Sequence, residues 1–229
     1  MQTSRDREIV CWISHLGAAG AEDVMRRFDM GRSWAYARLN SLVKGGLLEQ
    51  RTLLYRQPGL YIATAEGLRW CGLQRLGIYR VGPGGFEHAQ KVAQAASEIC
   101  GALAGWEVLS ERDIRSEEAD AGQLVASARV GELPGGRPAL HRPDLALRSN
   151  AGEVVAVEVE LSVKAPRRLA RICQGWARAR HIHAVYYLAT PPAAKAVERA
   201  IKETRAADRI RVLPLRDVSA LASEMERDA

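Results

Sequence analysis

The sequence predicts an α/β protein in two domains, and three observations lead there. The first third reads as helix, helix, helix and then two short strands. A Gly- and Pro-rich stretch, Arg80-Val-Gly-Pro-Gly-Gly85, interrupts the pattern. Beyond it, helical segments alternate with short apolar runs, the arrangement of a sheet with helices packed on it. The expected boundaries are 1–79 for the first domain, 80–85 for the linker and 86–229 for the second. With 47% hydrophobic and 26% charged residues the chain is globular rather than disordered.

In the first domain, Ile9, Trp12, Ile13 and Leu16 fall at helical spacing over residues 4–16. Gly17 and Gly20 bracket a turn. Ala21 to Phe28 form a second helix with Val24 and Phe28 inward. Ser33 is expected to cap a third helix running to Lys44. Ala35, Leu39, Leu42 and Val43 take its core side, and Arg32, Ser33, Tyr36, Asn40 and Lys44 the other. Leu47 to Leu54 and Leu60 to Ala63 read as strands joined by the turn Arg56-Gln-Pro-Gly59. Thr64 caps a further helix through Leu73.

Three helices followed by a β-hairpin is the winged helix-turn-helix plan. The string Ser33 to Leu48, ending Leu-Val-Lys-Gly-Gly-Leu-Leu, resembles the recognition helix and wing of bacterial winged-helix regulators. The charge agrees. Residues 1–85 hold 12 Lys/Arg against 7 Asp/Glu, and residues 26–56 hold 7 against 2, which suits a polyanion such as double-stranded DNA. Arg32, Ser33, Tyr36, Asn40 and Lys44 would face the groove, Asn40 being able to pair with adenine. Arg51 and Arg56 on the wing would touch phosphates. Trp34 fits either a DNA-facing place or a cover over the apolar seam. The alternatives are a solvated basic surface or a protein-docking face. Homodimerisation stays open, since winged helices commonly act in pairs and no dimer seam is legible.

The second domain is expected to begin with a helix from Phe86 to Leu103 and a strand from Trp106 to Leu109. Arg115 to Arg142 is polar, Gly- and Pro-rich and weakly patterned, and is expected to contain a mobile loop over the site. Leu145 to Leu147 form a strand, Ser149 to Gly152 a turn, and Glu153 to Leu161 a buried strand. Pro166 opens a helix with Leu169, Ile172, Cys173 and Trp176 inward. Ala184 to Leu188 and Ile210 to Leu213 are strands, with a helix between them from Pro191 or Pro192 to about Thr204. Val218 to Met225 form a last helix.

The Glu153–Leu161 strand carries the chemistry. Glu158 and Glu160 are two apart and share a face, while Val155, Val157, Val159 and Leu161 take the other. Paired carboxylates on an apolar strand repel and are costly to desolvate, so a metal or an Arg/Lys cluster must answer them. Asp144, just before the preceding strand, joins them as a candidate divalent-metal site.

Helix, strand, strand, strand, helix, strand, with Pro143-Asp144 and Glu158-Val-Glu160 in consecutive strands, resembles the PD-(D/E)XK nuclease fold. The resemblance implies a mixed sheet flanked by helices on both faces. It makes Asp144 and Glu158 ligands of Mg²⁺ or Mn²⁺ and puts Glu160 where the family usually has Lys. Lys164, of the same parity, would supply that cation if the strand extends so far. Glu87 or Glu98 would supply the family's additional acid, Glu87 completing a ligand set of Asp144, Glu158, Glu160 and Glu87. A winged helix joined to such a domain resembles the plasmid replication-relaxation family of mobile elements. That implies a DNA-binding protein with metal-dependent cleavage by Asp144, Glu158, Glu160 and Lys164. The alternative is a non-catalytic replication or transcription regulator on a degenerate nuclease fold.

From Leu161 to Val197 no residue is acidic, and Arg167, Arg168 and Arg171 lie off the apolar stripe, placed to follow a nucleic-acid backbone. His141, His181 and His183 form no coherent ligand set and read as structural or surface residues. Cys11, Cys71, Cys100 and Cys173 are scattered through apolar helical segments without zinc-ligand spacing and read as buried thiols rather than a disulfide framework. No apolar run approaches the ~20 residues of a membrane span, and the N-terminus leads into an amphipathic helix rather than a signal peptide. The chain therefore reads as cytoplasmic.

Overall fold

Thr3 opens the first helix, α1 (Ser4–Leu16), through a reciprocal cap. Its hydroxyl accepts the Asp6 N–H at 3.3 Å while the Asp6 carboxylate accepts the Thr3 N–H at 2.8 Å. This computed structural model describes residues 2–53, 55–215 and 217–228. The chain divides into two units, Met1–Gly101 and Ala102–Ala229.

In the first unit, α1 is followed by β1 (Ala18–Ala19), α2 (Ala21–Phe28), α3 (Arg32–Lys44), β2 (Leu48–Arg51), β3 (Leu60–Ala63), α4 (Ala65–Cys71) and α5 (Pro83–Ala102). Ile9, Ile13, Val24, Phe28, Ala35, Leu39 and Leu42 fill one core together with Leu48 and Tyr61. The hairpin β2–β3 is antiparallel, and β1 adds to β3 on its other side. Only two residues long, β1 carries no pattern legible in the sequence. Gly17 permits it: φ is +93°, and a Cβ there would stand 2.6 Å from the Tyr79 ring. Ser33 does not cap α3. Gly31 is the cap, its carbonyl accepting the Ala35 N–H at 3.0 Å, and Ser33 lies within the first turn. The expected strand end at Leu54 lies outside the described residues.

The segment 80–85 does not mark the division. α5 begins inside it, at Pro83. Phe86 and Ala89 pack with Ala18, Leu60 and Ile62, and Ala93 enters the main core of the first unit. Arg26 of α2 also donates to Ser97 at 2.8 Å. Burial of this small-residue helix face assigns α5 to the first unit.

The second unit is built on a five-stranded sheet of β4 (Glu107–Ser110), β7 (Leu145–Arg148), β8 (Val154–Glu160), β9 (Ala184–Ala189) and β10 (Ile210–Pro214). The order is β10-β9-β8-β7-β4, with β4–β7 and β7–β8 antiparallel and β8–β9 and β9–β10 parallel. α7 (Pro166–Arg178) links β8 to β9 and α8 (Pro191–Thr204) links β9 to β10, as parallel neighbours require. α9 (Val218–Asp228) follows. Leu169, Ile172, Cys173 and Trp176 of α7 are buried with Ala156, Val185 and Tyr187 of the sheet.

Much of the polar stretch 115–142 forms regular elements. Its start belongs to α6 (Glu111–Ala121), which Ser110 and Asp113 cap reciprocally. β5 (Ala128–Glu132) and β6 (Pro138–His141) then form a separate antiparallel ribbon. Buried Glu118 fixes the link from α6 to β5. Its Oε1 accepts the N–H groups of Val125, Ala126 and Ser127 at 3.0–3.3 Å, and its Oε2 the Ser127 hydroxyl at 2.7 Å. Among the described residues no helix is long and apolar enough to cross a membrane.

Candidate functional site

β8 is the central strand, so all seven of its residues are buried. Val154 and Ala156 point to the α7 side, into the cluster with Leu169, Ile172 and Trp176. Glu158 and Glu160 continue that alternation and emerge near the C-terminal end of the strand, 3% and 4% exposed. The β7–β8 register pairs Leu145 with Val157. One residue further it sets Asp144 opposite Glu158, which brings the third acid to the same end.

Each acid has an answering group. Asp144 Oδ2 accepts the Val159 N–H at 2.7 Å. His141 Nε2 lies 2.6 Å from Glu158 Oε1, and its ring meets Trp176 edge-on at 5.6 Å. Burial opposes charging of His141, but the charge and hydrogen bond of Glu158 outweigh it and raise the imidazole above its ordinary value, with Asp144 adding and Lys164 opposing. Lys164 Nζ forms an ion pair with Glu160 Oε2. That contact is not an aligned hydrogen bond, and the buried oxygen has no hydrogen-bond partner among the described residues. β8 ends at Glu160, so Lys164 reaches the acid from the segment before α7 rather than from an extended strand.

The groups beneath register the same negative charge. Burial pushes the Cys173 thiol up to about 11, with Glu158 contributing. Burial, then Glu158, holds the Tyr187 phenol well above its usual range. Asp144, Glu158 and Glu160 offer the carboxylate oxygens that Mg²⁺ or Mn²⁺ prefers, and the unaligned Glu160 Oε2 fits such a role. Among the described residues, however, no three His, Cys, Asp or Glu side chains are already gathered as an ion cage. Glu87 and Glu98 stand on α5 in the first unit, Glu87 exposed and Glu98 3.8 Å from Arg26.

Pro166 occupies the first turn of α7, where its missing N–H costs nothing. Arg167, Arg168 and Arg171 are exposed on the helix, and none makes an ion pair with another described residue.

In the first unit, Arg32, Ser33, Asn40 and Lys44 are exposed along α3 while Tyr36 is half-buried beneath the Arg32 guanidinium, 5.6 Å from its ring. Trp34 is 48% exposed, so it does not cover the seam; the Arg38 guanidinium lies 5.9 Å from its ring. Arg38 is itself committed to Asp6. On the hairpin, Arg51 is held by Glu49 through bonds of 2.8 and 3.1 Å, so its charge is locally answered. Arg56 is exposed over Tyr55, its φ of +59° placing it in the left-handed region.

Reading the sequence alone left out His141 as a partner of Glu158. The one available signal was its place three residues before Asp144. No protein-family model matches the chain, and no curated protein matches it.

Proposed function

We propose that the chain binds double-stranded DNA through its first unit and cleaves a phosphodiester bond at Asp144, Glu158, Glu160 and Lys164 of the second. The observation that carries this reading is the pair Glu158 and Glu160, buried side by side at the end of the central strand with Lys164 against one of them. Architecture alone does not call for two carboxylates there. The helix order, the antiparallel β4–β7–β8 pairing and the parallel step to β9 suit the PD-(D/E)XK fold. The α2–α3 pair followed by the β2–β3 hairpin suits a winged helix-turn-helix. Together they favour a role like that of the plasmid replication-relaxation family.

In this reading Asp144 and Glu158 would hold Mg²⁺ or Mn²⁺, which would polarise the phosphate and acidify a bound water. Glu160 would be either a further ligand or the group that orients the attacking water. The Lys164 ammonium offsets charge that builds on the phosphate. Arg167, Arg168 and Arg171 hold the flanking backbone, and Asn40, with Tyr36 behind it, reads base edges from α3.

The test is nicking of supercoiled plasmid in Mg²⁺ or Mn²⁺. Asp144→Asn and Glu158→Gln should each lower the rate by about 100-fold or more while DNA is still bound. Intact plasmid with the wild-type chain across both metals and a range of pH would sink cleavage.

A second reading rests on the answered state of the acids: His141, Lys164 and the Val159 N–H already engage them. The chain would then be a non-catalytic regulator. A DNA footprint that survives Asp144→Ala and is lost in Asn40→Ala, with no cleavage, would select it.

A further inference from the structure

A second basic feature lies in the same unit, beyond the far end of α7. Arg129, Arg178, Arg180 and His181 surround a groove of about 570 Å³, with Gly175 on its wall and Glu132 as its one acid. The three arginines are exposed, and none makes an ion pair with another described residue. Elsewhere in the unit Arg115, Arg142, Arg148 and Arg211 all face carboxylates.

The groove is built by close packing. A Cβ on Gly175 would stand 2.8 Å from Val130 Cγ1 and 2.9 Å from the Arg129 carbonyl, so only glycine lets α7 lie this near β5. The β5–β6 register shifts between Arg129 and Gly131, and such an irregularity re-aims the side chain beside it. His181 is anchored, its Nε2–H donating to the Ser127 carbonyl at 3.0 Å.

From these observations we infer that the groove is a phosphate-binding site that holds the backbone of a nucleic acid away from the acid cluster. Three guanidiniums against one carboxylate suit phosphate oxygens, which arginine grips in a fork. Among the described residues no Phe, Tyr or Trp lines the groove to stack a base, and the His181 ring is tied to the Ser127 carbonyl, which favours backbone over a free nucleotide. α7 connects the two places: its 13 residues span about 20 Å, the rise of about six base pairs. Its exposed Arg167, Arg168 and Arg171 lie toward the acid end and Arg178 at the groove. The inference rests on the DNA-binding part of the proposed function and is independent of cleavage.

The test is fluorescence anisotropy of the full chain with a duplex oligonucleotide over a salt series. It compares wild type, the triple variant Arg129→Ala/Arg178→Ala/Arg180→Ala, and a charge-matched control, Lys195→Ala/Arg199→Ala/Lys202→Ala, on exposed positions of α8. Circular dichroism melts confirm folding. The groove variant should bind at least about tenfold more weakly, with a salt slope shallower by about 2 to 3, and the control should change neither to that extent. Equal losses in both variants, or none in the groove variant, overturn the inference while leaving DNA binding in place. Failure of the wild-type chain to bind DNA overturns both. Groove-dependent binding of inorganic pyrophosphate with unchanged DNA affinity identifies a small phosphate ligand and overturns the backbone assignment.

Discussion

His141 Nε2 sits 2.6 Å from Glu158 Oε1, joining the end of β6 to the middle of the sheet. Glu158 is only 3% exposed, so removing this donor leaves a buried carboxylate poorly answered. His141→Ala should destabilise the protein by about 2 kcal/mol at neutral pH, read from urea unfolding. The loss should shrink by half or more in a Glu158→Gln background, because a buried neutral amide costs less to leave without this donor than a buried carboxylate. Equal costs in both backgrounds would show that the two side chains are not coupled.

Asp23 supplies a pH dependence. Burial raises its carboxyl to about 6 from the ordinary 3.8, although the Gly20 N–H and Arg26 pull the other way. A raised folded value means the fold prefers the protonated acid. That contribution is complete below 3.8 and is lost as the pH rises through about 6. Asp23→Asn keeps an acceptor for the Gly20 N–H and cannot ionise. It should therefore be more stable than wild type at pH 7 by on the order of 2 kcal/mol, with the gain vanishing near pH 4. A gain that is the same at both pH values contradicts the assignment.

Gly175 tests the packing of α7 on β5. Alanine is ordinarily the better helix residue by about 1 kcal/mol. Here its methyl would meet the Arg129 carbonyl at 2.9 Å, a backbone atom held in the ribbon. Gly175→Ala should then be destabilising by about 1 to 3 kcal/mol, seen as a lower urea midpoint with an unchanged slope. A stabilised variant would mean that β5 gives way.

Cys11 gives a chemical readout in the first unit. The neighbouring Cys71 thiol is the main cause that lowers its thiol to about 7, burial opposing and Arg7 and His15 assisting. Alkylation of Cys11 by iodoacetamide should turn on with a midpoint near pH 7. In Cys71→Ala the midpoint should move up toward that of a free thiol. An unmoved midpoint would remove Cys71 as the cause.

The legible parts of the chain were those whose signal is local. The glutamates of β8 stand out because strand alternation puts Glu158 and Glu160 on one face, and Pro166 marks the start of α7. What escaped depends on partners distant in sequence. α5 has a face of small residues that suits either domain, and only its packing on Ala18, Leu60 and Ile62 decides. α6 buries Ile114 and two acids, Asp113 and Glu118, so its helical period is faint to a reader looking for apolar residues. β5 and β6 form a two-stranded ribbon apart from the main sheet, with many exposed positions and no apolar alternation to find. The bond from His141 to Glu158 spans 17 residues and exists only once β7 and β8 are paired.

The pairing of Leu145 with Val157 also guards the fold against error. A slip of a single residue along β8 would turn its side chains over. Glu158 and Glu160 would then point into the layer now filled by Val155, Val157 and Val159, far from His141 and Lys164. The same carboxylates that make the correct alignment demanding would make that misaligned sheet costlier still, so the buried charge of Glu158 and Glu160 doubles as a proofreader of strand assembly.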